Sequence, residues 1–124
     1  MIYIWLNATA ILAATLAGLA FAALWFRRRA STDALVTGFV ASGWLTAILA
    51  GALILAPPKG GIWVMTLGSA VVIWAGFVLP AVAASYRWRG LTWSRVFADT
   101  GCWLGMMVTQ AVVLRLIGLV APPT

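Results

Sequence analysis

A chain of 124 residues is long enough for one compact domain, but 65% of it is hydrophobic, only 8% is charged, and its mean hydropathy is +1.08. A domain in water carries about 25% charged residues, so this composition excludes a soluble enzyme, a disordered tail and a secreted disulfide scaffold. Cys102 is the single cysteine and histidine is absent, which removes an internal disulfide and the commonest metal ligand and neutral-pH proton shuttle.

Four apolar runs follow one another, each of about 22 to 25 residues, close to the ~20 that a helix needs to cross a hydrocarbon core. The first, residues 4–26, ends at Arg27, Arg28 and Arg29. No basic residue precedes it and it is too long for a signal-peptide core, so it reads as a retained helix. The second covers residues 35–56, between Asp33 and the Pro57-Pro58-Lys59 segment. The third covers residues 62–86 and ends at Arg87 and Arg89. Within it Pro80 removes one backbone hydrogen bond and crowds the carbonyl of Gly76, which predicts a kink between the two. The fourth covers residues 97–120, with Pro122 and Pro123 beyond it.

Helices are the only candidates for these runs, because a lone strand would leave its backbone groups unpaired in lipid. Short connections make sequential helices antiparallel. The expected fold is therefore all-α: a single transmembrane domain spanning residues 1–124, an up-down four-helix bundle. Arg27, Arg28 and Arg29 in one loop and Arg87, Arg89 and Arg95 in another share one face, against Lys59 and Arg115 on the opposite face. That bias predicts cytoplasmic arginine loops and periplasmic termini for a multi-pass protein of a bacterial inner membrane. The net charge of +6 then reflects topology, or contact of those six arginines with anionic lipid headgroups, and not a nucleic-acid partner.

Eight tryptophans are present. Trp5, Trp63, Trp25, Trp88 and Trp93 fall at run boundaries, where an amphipathic ring prefers the headgroup zone. Trp44 and Trp74 fall near midplane, and with Gln110 they form a candidate pocket for a small amphipathic molecule; filling space between helices is the alternative.

Helix association in lipid depends on close backbone approach. Small residues recur at spacing four: Ala10, Ala14, Gly18 and Ala22 in the first run, Gly43, Ala47 and Gly51 in the second, Gly101, Gly105 and Thr109 in the fourth. These stripes serve either packing within one bundle or a docking face for a second copy or another membrane protein, and spacing does not separate the two.

The polar residues of the runs are functional suspects by default. Asn7 and Arg115 lie at similar depth and form a candidate polar pair. Asp99 sits four residues after Arg95, a spacing that permits an ion pair. Thr15, Thr46, Thr109 and Gln110 approach the midplane and could form a hydrogen-bonded cluster. No catalytic constellation emerges: serine or cysteine has no histidine base, two separated aspartates make neither a dyad nor a metal site, and no glycine-rich phosphate loop occurs. No enzyme activity and no cofactor are expected.

Gly18 followed by Leu24-Trp25-Phe26, then Trp74-Ala75-Gly76-Phe77-Val78-Leu79-Pro80, a basic loop and Asp99-Thr100-Gly101 together resemble the signature of a bacterial four-helix membrane family, domain of unknown function 1761. The family usually has Trp-Tyr where Trp25-Phe26 stands. The resemblance implies a small inner-membrane protein and no activity. Small multidrug exporters would need a glutamate in the first run, and dual-topology fluoride channels balanced basic loops; neither pattern is present. The expectation is a non-catalytic membrane protein that acts by packing, as a homo-oligomer or an accessory subunit; the alternative is a carrier or binding protein for a small amphipathic molecule or lipid.

Overall fold

A computed structural model describes residues 2–26, 31–55 and 61–120. Those residues are almost wholly helical, and no strand occurs among them. The elements are α1 (Ile2–Leu6), α2 (Ala8–Phe26), α3 (Thr32–Leu55), α4 (Ile62–Ile73), a π-helical turn (Trp74–Val78), α5 (Leu79–Trp88) and α6 (Trp93–Ile117). Four stretches are long and apolar enough to cross a membrane: Ala8–Trp25, Thr32–Leu55, Ile62–Trp88 and Trp93–Ile117. Arg27, Arg28 and Arg29 and the Pro57-Pro58-Lys59 segment lie outside the described residues.

The helix ends differ in part from the limits of the apolar runs: the first run is broken at Asn7 and the third extends to Trp88, and local chemistry explains three further differences. At the start of α3, the Ser31 hydroxyl accepts from the Ala34 N–H at 3.1 Å. Asp33 then falls inside the first turn, where the helix dipole favours an acid. At the start of α6 the Thr92 side chain caps the Arg95 N–H, which draws Arg95 into the helix. The other end of α6 comes at Gly118, whose φ of +97° is the left-handed conformation that lets a chain leave a helix. Arg115 consequently lies in the last helical turn, not deeper. Gly90, with φ +78°, makes the turn between α5 and α6.

The expected distortion of the third run takes the form of the π turn. The Leu79 N–H donates to the Trp74 carbonyl, five residues earlier. Pro80 follows immediately, with no N–H to give to Gly76. A π turn just ahead of a proline lets the helix continue past a carbonyl that the proline has left without its usual donor.

α6 touches α2, α3, α4, the π turn and α5, which makes it the centre of the packing. The core is built from small and aliphatic residues: Ala10 and Ala14 of α2, Ala47, Leu49 and Ala50 of α3, Ala70 of α4, and Met107, Ala111 and Leu114 of α6. α2 lies against both α6 and α3, and α4 lies against α6 and, less extensively, α3. The third stretch is the least covered: two of its 27 residues, Thr66 and Ala70, are buried, against eight of 25 in the fourth.

Candidate functional site

The small-residue stripes face inward. A Cβ added at Gly105 would overlap the Phe21 ring, and one added at Gly18 would overlap the Gln110 amide. At Gly101 it would meet Trp25 at 3.7 Å. Phe21 and Trp25 are themselves stacked, with ring centroids 5.9 Å apart. The glycines of α6 therefore seat two aromatic rings of α2, and Gly18 of α2 seats the amide of Gln110. On α3, an added Cβ at Gly43 would meet Thr15 at 3.6 Å and one at Gly51 would meet the Tyr3 hydroxyl at 3.0 Å. Tyr3 Oη donates to the Ala47 carbonyl at 3.1 Å. Ala14 is fully buried. Gly18, Ala14, Gly43, Ala47, Gly51, Gly101 and Gly105 thus meet partners within the chain.

The residues proposed as a midplane pocket are not gathered into one. Trp44 turns outward and is 60% exposed. Trp74 is half-buried, and its Nε1 donates to the Thr100 carbonyl at 2.7 Å, tying the start of the π turn to α6. Gln110 is fully buried against Gly18, and among the described residues neither Nε2 nor Oε1 meets a partner. The Ser42 hydroxyl, also buried, is in the same condition.

The threonines do not join Gln110. Thr15, Thr46 and Thr109 each donate to the carbonyl four residues earlier, at 2.6 to 2.7 Å. Thr66 and Thr100 do the same. Such back-bonding satisfies a hydroxyl without a second helix, so the cross-helix cluster does not form through these hydroxyls.

Asn7 and Arg115 find separate partners, and among the described residues no hydrogen bond links them. Asn7 Oδ1 accepts from the Val120 N–H at 2.6 Å, while its Nδ2 donates to the Val120 carbonyl at 2.8 Å and to the Tyr3 carbonyl at 2.9 Å. The side-chain amide pairs with the Val120 backbone as a neighbouring strand would, and joins the beginning of the chain to the segment after α6. Arg115 Nε donates to Thr66 Oγ1 at 2.8 Å, across to α4. The strap formed after Gly118 was not legible, because the apolar run continues through it and suggests helix to Val120.

At the opposite end of α6 the basic residues of the α5–α6 connection are held by aromatic rings and carbonyls. Arg87 donates to the Leu91 carbonyl at 2.9 Å and lies over the Trp93 ring at 5.1 Å. Arg89 lies over the Tyr86 ring at 5.3 Å. Tyr86 Oη in turn donates to Asp99 Oδ2 at 2.5 Å, so the carboxylate that spacing offered to Arg95 takes a tyrosine hydroxyl. Ala84, Ser85, Trp88 and Arg89 line a concavity of about 410 Å³ beside them. A second concavity, of about 470 Å³, is an apolar groove lined by Ala52 of α3 and by Val64, Met65, Gly68, Ser69, Val72 and Ile73 of α4.

No group of three metal-ligating side chains occurs among the described residues. No family model, curated protein or solved structure matches this chain.

Proposed function

We propose that the chain is a non-catalytic, multi-pass protein of a bacterial inner membrane that acts through helix packing, as a homo-oligomer or as an accessory subunit of a larger membrane complex. Antiparallel spans are supported by the order of contacts along α2 and α6, in which Phe21 meets Gly105 and Trp25 meets Gly101, and by the Asn7–Val120 pairing at their other ends. A cytoplasmic location of Arg87, Arg89 and Arg95 and periplasmic termini are supported by the arginine bias of the connections. The motif resemblance to the four-helix family points the same way and adds no activity.

The observation that carries this reading is the uncovered face of α4. A Cβ at Gly68 meets nothing within 4 Å, while the glycines of α2, α3 and α6 discussed above all meet partners. A small residue left open on the least buried span is where a further helix could approach closely. Gentle extraction followed by native mass spectrometry tests this. The wild type is expected to come out as an oligomer or with a partner, and Gly68→Leu as a folded monomer. A wild-type chain that is monomeric in native membranes by crosslinking contradicts the reading.

A second reading, a binding protein for a small amphipathic molecule or lipid, is favoured by the apolar groove that Gly68 also lines. The same extraction separates the two: a small molecule or lipid that accompanies the wild type and is lost from Gly68→Leu, with no change in protein mass, supports the second.

A further inference from the structure

We infer that the concavity at the end of α5 holds the headgroup of an anionic phospholipid. This rests on the reading that α5 and α6 reach a membrane surface at this point. The concavity has three elements that such a ligand needs. Arg89 supplies a cation at its wall, Ser85 supplies a hydroxyl donor and Trp88 supplies an indole, and all three side chains are exposed. Trp88 is 93% exposed, the posture of an amphipathic ring that has polar surroundings at one edge and hydrocarbon at the other.

The charge balance fits an anion. Residues 79–100 contain Arg87, Arg89 and Arg95 against Asp99 alone, and Asp99 accepts the Tyr86 hydroxyl. Arg89 is not closed off by its own contact: its guanidinium carbon lies over the Tyr86 ring, 5.3 Å from the centroid, a cation–π contact that uses none of its N–H groups as a hydrogen-bond donor and leaves them for a phosphate. A guanidinium suits a phosphate, because its paired N–H groups match two oxygens at once. Arg87 is already turned back onto Leu91 and Trp93, which assigns the headgroup to Arg89 rather than to the basic loop at large.

The test uses the full-length protein in nanodiscs of equal phosphatidylglycerol and phosphatidylcholine, with the lipids that stay bound counted by native mass spectrometry. One arginine near an anionic surface contributes about 1 kcal/mol, or roughly a fivefold preference. The wild type is expected to retain phosphatidylglycerol over phosphatidylcholine by about that factor or more. Arg89→Gln and Ser85→Leu are expected to reduce the preference, while Arg115→Gln at the far end leaves it unchanged. Equal retention of the two lipids by the wild type, or an Arg89→Gln protein as selective as the wild type, overturns the inference. A chain that stays monodisperse in buffer without detergent or lipid overturns instead the membrane reading beneath it, so the two failures are distinguishable.

Discussion

Asn7, at the junction of α1 and α2, and Gln110, inside α6, are both amides in apolar surroundings, yet the chain treats them oppositely. Asn7 saturates its amide with the Val120 backbone and the Tyr3 carbonyl; Gln110 is buried with no partner among the described residues. An unpaired buried amide costs about 1 to 3 kcal/mol, and replacing it with an apolar group of similar shape is neutral or stabilising. Gln110→Met is therefore expected to leave the thermal midpoint in detergent unchanged or higher, and a clear fall would show that the amide is satisfied. Asn7→Ala is expected to lower the midpoint, by about 1 to 3 kcal/mol of stability, since the Val120 N–H and carbonyl lose their partner; unchanged stability would show the clamp to be idle. Sequence made both residues visible as polar groups in apolar runs. It could not assign partners, because depth along a helix says nothing about which way a side chain faces, and Asn7 and Arg115 at similar depth turn to Val120 and Thr66.

Among the helices, α2 and α6 share the most extensive contact, and glycines lie within it. Phe21 occupies the space where Gly105 lacks a side chain. Gly105→Leu is expected to separate these helices and cost at least the 1 to 3 kcal/mol typical of overpacking, seen as a lower thermal midpoint. Gly68→Leu, on a face with nothing nearby within the chain, is expected to leave the midpoint of the detergent-dispersed monomer unchanged. Equal damage from both substitutions would contradict the division between an inward and an open face. The stripes themselves were legible as small residues at spacing four. That they meet partners within the chain was not, because spacing identifies a smooth face and not what lies against it. The caps at Ser31 and Thr92 were available in the sequence, but limits drawn at charged residues passed over them. Pro80 signalled a distortion near Gly76; its form as a π turn beginning at Trp74, and the bond that ties this turn to the Thr100 carbonyl of α6, were not legible, because a proline marks a missing donor and not how the helix absorbs it.

For the molecule as a whole, length and hydropathy were sufficient to find four stretches able to cross a membrane, since backbone satisfaction in lipid leaves helices as the only form for such runs. The surface they create is apolar nearly throughout, with Val40, Trp44, Val72, Phe77 and Leu116 among its exposed residues. In water that exposure would drive association; against hydrocarbon it is the ordinary outer surface of a helical membrane protein. The central claim, that the chain threads the bilayer four times, is tested most directly by cysteine accessibility in sealed vesicles, in a Cys102→Ala background, with single cysteines at Ser31, Gly61, Ser94 and Gly118. The account predicts that Ser31 and Ser94 label from one side, and Gly61 and Gly118 from the other. Labelling of Ser31 and Gly61 from the same side, or of all four from both sides, would contradict it.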